Sequence, residues 1–125
     1  MASYVKYQPF VENVNEKVFN IGSDILKVAL TNDASITATR GQLSQLTEVS
    51  YTNLSARTLT VSSSAQTSGT YKVVVNDLVL TASGGAVAMF QSVHIYDDTA
   101  TNDELICGFV DVAARTLQDG DTYTL

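Results

Sequence analysis

The fold is decided by the stretch TYKVVVNDLVLT, residues 70–81. Successive side chains of an extended chain point to opposite faces, so Tyr71, Val73 and Val75 share one face and predict a half-buried strand. Residues 76–77 are Asn-Asp and interrupt the apolar run, which predicts a bulge or a change of face there. The pattern indicates β-structure, because helical apolar residues would recur every three or four positions.

The same signal continues on both sides of this stretch. Alternation or short apolar runs predict further strands at residues 25–31, 57–62, 87–96, 104–112 and 121–125. Turn-forming residues predict a loop at 62–69, a Gly turn at 83–85, a polar turn at 97–103 and an Asp-Gly hairpin at 119–120. About six strands at this spacing predict an all-β fold, an antiparallel β-sandwich of the jelly-roll or immunoglobulin-like kind.

One short helix is predicted near the N-terminus, over residues 9–19. Pro9 suits a first helical turn, and Gly22 suits the stop that follows. Between them, apolar residues at spacings of one, three and four form one helical stripe: Phe10, Val11, Val14 and Val18. A further single turn is expected around Leu43 and Leu46.

Composition excludes several classes of protein. The 125 residues fit one domain, residues 1–125, and the 45% apolar content is too high for a disordered acidic tail. The one cysteine excludes a disulfide scaffold. The net charge of -6 has the wrong sign for gripping nucleic acid with the whole surface, so we expect no nucleic-acid partner.

The ends of the chain and the charge balance add two expectations. No run approaches the ~20 apolar residues of a membrane span, and residues 1–10 lack the apolar centre of a signal peptide. We therefore expect synthesis in a reducing cytoplasm and no membrane partner. Residues 1–75 carry five acidic and six basic side chains, whereas residues 76–125 carry eight acidic and one basic. One interpretation of this asymmetry is that the acidic residues keep the protein soluble. The other is that the acidic part faces water while the neutral half docks on a partner.

Residues that could carry catalysis or bind a metal are few. His94 is the only histidine, and its place in a strand favours a hydrogen-bonded structural role, although Cys107 or a serine could lie near it. The acidic loop at residues 97–104 could hold Ca²⁺, yet its spacing is not that of an EF-hand and its residues are ordinary in β-turns. One Cys and one His cannot complete a zinc site. We predict no enzyme activity, no cofactor and no metal.

Three aromatic side chains lie close together at the N-terminus: Tyr4, Tyr7 and Phe10. Aromatic residues are enriched in the cores of protein interfaces. Residues 1–10 are therefore a candidate interaction arm, with these three side chains as the partner contacts. The alternative is that they cover the core of the chain itself.

Four stretches together resemble a known group of proteins: KVALTN at 27–32, SYTNLS at 50–55, SAQTSGTYK at 64–72 and YDDTATNDELI at 96–106. In this order they resemble small virion structural proteins of tailed bacteriophages. The likeness runs over nearly the whole chain, and TATNDELI, residues 99–106, is its most specific part.

The resemblance implies a virion structural protein made in the host cytoplasm, and at this size a capsid decoration or cement protein on the outer surface of the assembled head. Its implied partners are the phage major capsid protein and, because decoration sites often lie on local three-fold axes, further copies of itself in a homotrimer. A tail or neck component and a host-glycan-adhesion module on the virion surface are the alternatives. No catalytic or binding residues carry over from the group.

Overall fold

The computed structural model describes residues 3–125 as mostly antiparallel β-structure with one short α-helix. In chain order the elements are β1 (Ser3–Lys6), α1 (Pro9–Asn15), β2 (Leu26–Thr31), a 3₁₀ turn (Leu43–Gln45), β3 (Thr58–Leu59), β4 (Val61–Thr67), β5 (Thr70–Val75), β6 (Val79–Thr81), β7 (Phe90–Asp97), β8 (Leu105–Arg115) and β9 (Thr122–Thr124). The predicted all-β, sandwich-like fold with one short N-terminal helix is confirmed.

The strands form one large sheet and two small ones. The large sheet has five strands in the order β1-β8-β7-β2-β3, and all of its pairings are antiparallel. Strands β4 and β5 form a hairpin, and β6 pairs with β9. The two small sheets contribute Val61, Val75 and Leu80 to the core that packs against the large sheet.

The large sheet is covered on both faces, as the residues of β2 show. Its even-numbered residues, Leu26, Val28 and Leu30, join the larger core cluster together with β3, β6 and β7. Ala29 lies on the opposite face in a second cluster with Tyr7 and Tyr96. A strand buried on both faces has a nearly continuous apolar sequence, and residues 25–30 have this pattern apart from Lys27.

The predicted helix is shorter than expected, because it ends at Asn15 and not at residue 19. Lys17 has a positive φ of 62°, a left-handed conformation that a helix cannot continue through. Val11 and Val14 remain exposed, so the apolar stripe of the sequence covers little of the core. The predicted turn near Leu43 is confirmed as a 3₁₀ turn over Leu43–Gln45.

The loop predicted at residues 62–69 is wrong, because most of it forms strand β4. Its small hydroxyl side chains tolerate a strand exposed on both faces, and pairing with β5 fixes the backbone. Only Ser68 and Gly69 turn the chain, and both have positive φ, as in a type I′ hairpin turn. The single strand predicted over 70–81 is wrong, because the chain breaks at the predicted interruption: β5 ends at Val75, and β6 begins at Val79 in a different sheet.

Candidate functional site

The candidate site is an apolar groove of about 390 Å³ between the large sheet and the β4–β5 hairpin. Its floor is the sheet: Leu26, Leu59, Ile95, Ile106 and Cys107. Its far wall is Ile21 with Tyr71, Val73 and Val75 of β5, and its near rim is Tyr4, Lys6 and Phe10. We call this the groove. A smaller apolar cavity of about 120 Å³ shares three of its lining residues: Leu59, Val75 and Ile95.

Strand periodicity explains which side chains line the groove. Tyr71, Val73 and Val75 alternate along β5, so all three point to the same side. Adjacent residues Ile106 and Cys107 of β8 both reach the groove because the β7–β8 register shifts beside them, between Ile95 and Tyr96. The shift breaks the alternation of β8 locally and adds one more side chain to the floor.

Two tyrosines expose large rings at the groove. Tyr4 is 59% exposed, and its ring lies 5.3 Å from that of Phe109. Tyr71 is 54% exposed, and its hydroxyl is 2.6 Å from Oγ of Ser64. Phe10 packs against Phe19 with ring centroids 5.3 Å apart. Exposed, ordered aromatic rings beside a groove are the kind of surface that protein partners cover.

The groove is lined mainly by residues 1–75, the half of the chain with the neutral charge balance. Its lining holds one charged group, the exposed Lys6, and no carboxylate. Within residues 3–125 the ion pairs join Lys27 to Asp98, Arg57 to Glu48 and Arg115 to Asp111, and none involves Lys6. The rim is therefore positive, although the protein as a whole carries a net charge of -6.

Of the three aromatic residues predicted as partner contacts, the structure brings Tyr4 and Phe10 to the groove and buries Tyr7. Tyr7 has no exposed surface, and its hydroxyl is hydrogen-bonded to Nδ1 of His94 at 2.7 Å. It lies beneath the opposite face of the large sheet, in the cluster with Ala29. The alternative of covering the chain's own core therefore holds for Tyr7. Partner contact stays a prediction for Tyr4 and Phe10.

His94 is a buried histidine with both ring nitrogens occupied. Nε2 is 2.9 Å from Oγ1 of Thr31, and Nδ1 bonds to Tyr7. Burial lowers the pKa of His94 to about 4, so the ring is neutral at physiological pH. Cys107 pairs with Ile95 and lines the groove, on the other face of the sheet from His94. Burial also raises the pKa of the Cys107 thiol to about 11. The structure does not bring these two residues together.

Three of the four acidic side chains of the 97–104 loop bond to the loop itself or to one lysine. Asp97 Oδ1 accepts hydrogen bonds from the backbone N–H groups of Thr99 and Ala100, at 2.9 and 3.2 Å. Glu104 accepts two from Asn102, and Asp98 pairs with Lys27 at 3.1 Å. Across residues 3–125, no three His, Cys, Asp or Glu side chains converge into a metal-binding group.

Sequence reasoning missed a buried carboxyl group, Asp97, and its half-buried neighbour Asp24. Asp97 has no exposed surface, and its Oδ2 atom has no hydrogen-bond partner among the described residues. Burial, and after it the neighbouring Asp24 carboxyl, raise the pKa of Asp97 from 3.8 to about 7. Asp97 therefore takes up a proton at a higher pH than an exposed aspartate does. The two residues lie 73 positions apart, so no local motif marks them.

Comparison with known proteins adds no relative: the chain matches no family model, no curated protein and no solved structure. In the part of the chain that the structure describes, no helix has the length and apolar character needed to cross a membrane.

Proposed function

We propose that this chain is a bacteriophage virion structural protein, and specifically a capsid decoration protein that binds the outer surface of the assembled head. The observation that carries the proposal is the open groove, rimmed by Tyr4, Phe10 and Lys6 and left unfilled by residues 3–125. The sequence resemblance supplies the context, and the groove supplies a surface through which such a protein would bind.

The charge distribution supports this orientation. The groove is lined mainly by residues from the neutral first half, whereas residues 76–125 carry eight acidic side chains against one basic. No carboxylate lines the groove, so a protein that docks through it keeps exposed acidic residues such as Asp77, Asp119 and Asp121 outside the contact, where like charges keep decorated particles apart. The major capsid protein is the proposed partner, and a homotrimer on a local three-fold axis is the proposed arrangement.

The mechanism would be stabilisation by mass action. A protein that binds the assembled lattice and not free coat subunits stabilises the lattice by about 4 kcal/mol per site at a thousand times Kd. Each ring of phenylalanine size that is buried against the coat contributes roughly 1.5–3 kcal/mol of apolar transfer free energy. Tyr4 and Tyr71 are the rings with most surface left to bury.

The decisive measurement is the number of copies in purified virions, counted against the major capsid protein by quantitative mass spectrometry. Lattice-wide decoration predicts a ratio between about 1:1 and 1:3, set by the symmetry of the site. A few copies per virion would indicate a tail or neck component instead. Absence from the particle would overturn the structural proposal.

The groove can be tested separately with the double variant Tyr4→Ala/Tyr71→Ala. Binding to heads that lack the protein should fall by at least about tenfold, since two exposed rings would no longer be buried. Val74→Ala is the matched control, because Val74 is exposed on β5 but does not line the groove. Equal binding by the double variant and the control would rule the groove out as the coat contact.

A second candidate function is adhesion to host glycans. Exposed tyrosine rings such as those of Tyr4 and Tyr71 are able to stack on sugar rings, although the chain has no tryptophan. A glycan array probed with the purified protein separates the two functions. Glycan binding that disappears in the Tyr4→Ala/Tyr71→Ala variant would favour adhesion. An array without any binding would favour capsid decoration.

A further inference from the structure

Strand β1 leaves one edge of the large sheet open beside the groove. It is the first strand in the order β1-β8-β7-β2-β3, and it pairs with β8 from Ser3↔Val110 to Lys6↔Cys107. A strand at a sheet edge presents unpaired N–H and C=O groups to which another chain can bind. Here these groups lie next to an apolar groove that the described part of the chain does not fill.

The hydrogen-bond pattern identifies which residues present those groups. The N–H of Tyr7 donates to Ile106 O at 3.2 Å, toward β8. Backbone groups of an antiparallel strand alternate in direction, so those of Ser3 and Val5 also point toward β8. The N–H and C=O groups of Tyr4 and Lys6 therefore point outward from the sheet.

An independent contact confirms this alternation. Gln8 has the same parity as Tyr4 and Lys6, and its N–H donates outward to Ala38 O at 2.8 Å. Beyond the end of β1, the outward N–H of Gln8 is thus already paired with the backbone of Ala38. Among residues 3–125, the backbone hydrogen bonds between elements leave Tyr4 and Lys6 without such a cover.

The side chains of Tyr4 and Lys6 both line the groove. A strand added along β1 would place alternate side chains on this same face, because side chains alternate in every strand of a sheet. Apolar residues at those positions would enter the groove. A carboxylate among them would meet the Lys6 ammonium, which has no acidic partner among the described residues.

The same features disfavour pairing between two copies of this edge. Strand β1 has four residues, and a lysine in a short edge strand is a common protection against self-association. Pairing two β1 strands would bring two Lys6 ammonium groups into one interface without a counter-charge. A partner segment with a carboxylate supplies that counter-charge. The edge therefore disfavours a second copy of β1 and favours an acidic partner.

We propose that β1 is a strand-addition site, which binds an extended segment of a partner protein with apolar side chains in the groove and a carboxylate against Lys6. The identity of the partner rests on the proposed function: the segment belongs to the major capsid protein. Main-chain hydrogen bonds to Tyr4 and Lys6 would provide affinity, and the groove and Lys6 would provide specificity.

The test is hydrogen exchange with residue resolution, on the protein free and bound to purified heads. Strand addition should slow exchange of the Tyr4 and Lys6 amides by at least about tenfold. The amide of Val5 already faces β8 and is the internal control, with little change expected. Binding to heads without protection of Tyr4 and Lys6 would overturn strand addition and leave the proposed function standing. Failure to bind heads at all would overturn both.

A pair of charge variants gives the second measurement. Lys6→Glu should weaken head binding by about tenfold or more, because the carboxylate of the partner would face a like charge. Lys72→Glu makes the same change in net charge at an exposed β5 residue that does not line the groove, and should change binding less than about twofold. Equal effects of the two variants would overturn the assignment of Lys6.

Discussion

The two faces of the large sheet differ in how their polar and aromatic groups are used. On one face, which we call the closed face, Tyr7, His94 and Thr31 form a hydrogen-bonded group without solvent access. On the other, the groove leaves aromatic rings exposed beside an unpaired strand edge. Substitutions on the closed face should therefore change the stability of the fold, and substitutions at the groove should change binding.

The largest expected effect comes from Tyr7→Ala. It should lower the free energy of unfolding by about 3–5 kcal/mol, because it leaves a cavity in a fully buried cluster. Tyr7→Phe isolates the hydroxyl and should cost about 1–2 kcal/mol, since a ring nitrogen of His94 loses its partner. Urea unfolding followed by circular dichroism measures both. Tyr4→Ala, three residues earlier, should stay within about 1 kcal/mol, and equal losses at the two tyrosines would contradict the comparison.

Gly108→Ala should be the next most damaging change. A Cβ at Gly108 would lie 2.7 Å from Cδ1 of Ile36 and 3.1 Å from Nδ1 of His94. Overpacking of this kind costs about 1–3 kcal/mol. Cys107→Ala is the matched control on the groove side, and its loss should be smaller. Thermal unfolding of the two variants measures both losses of stability. A larger loss for Cys107→Ala than for Gly108→Ala would contradict the assignment of Gly108 to the closed face.

Two buried groups should give the stability opposite pH dependences. The pKa of His94 is lowered from 6.5 to about 4, so the unfolded chain binds more protons in that interval and stability falls as pH drops from 6.5 to 4. The pKa of Asp97 is raised from 3.8 to about 7, so the folded chain binds more protons and stability falls as pH rises from 3.8 to 7. The two trends partly cancel in the unaltered protein.

Single substitutions separate these two trends. Asp97→Asn should leave a protein whose stability is flat above about pH 7 and declines on acidification toward pH 4. His94→Gln should leave one that is most stable near pH 4 and declines as pH approaches 7. Urea midpoints across this range are the measurement, and parallel curves for the two variants would contradict the assignment.

The smallest expected effect lies in the exposed hairpin. Ser68 has a positive φ of 51° before Gly69, and Asn adopts this conformation more readily than Ser. Ser68→Asn should stabilise the protein by about 0.5 kcal/mol. Ser63→Asn, in the middle of β4, serves as the control and should be neutral or slightly destabilising, because Asn is disfavoured in strands. A larger gain at Ser63 would contradict the turn assignment.

Much of the fold could be predicted from apolar patterning, because β5 alternates and β2 and β7 are mostly apolar runs that the sheet buries on both faces. Strand β1 could not, since its four residues show no apolar pattern and pair with a strand 100 positions away. The exposed β4 also carries no apolar signal. The groove is assembled from residues of seven elements and one loop, so Tyr4 and Phe10 could be suspected of partner contact but their association with Tyr71 could not be predicted.

The position of Cys107 has a practical consequence. It is the one cysteine of the chain, a free thiol at the floor of the groove, and its raised pKa makes alkylation slow. Any occupant of the groove would shield the sulfur and slow the reaction further. The unmodified protein thus contains its own chemical reporter of occupancy: the rate at which a small maleimide labels Cys107, free and on the particle, measures how much of the groove is covered.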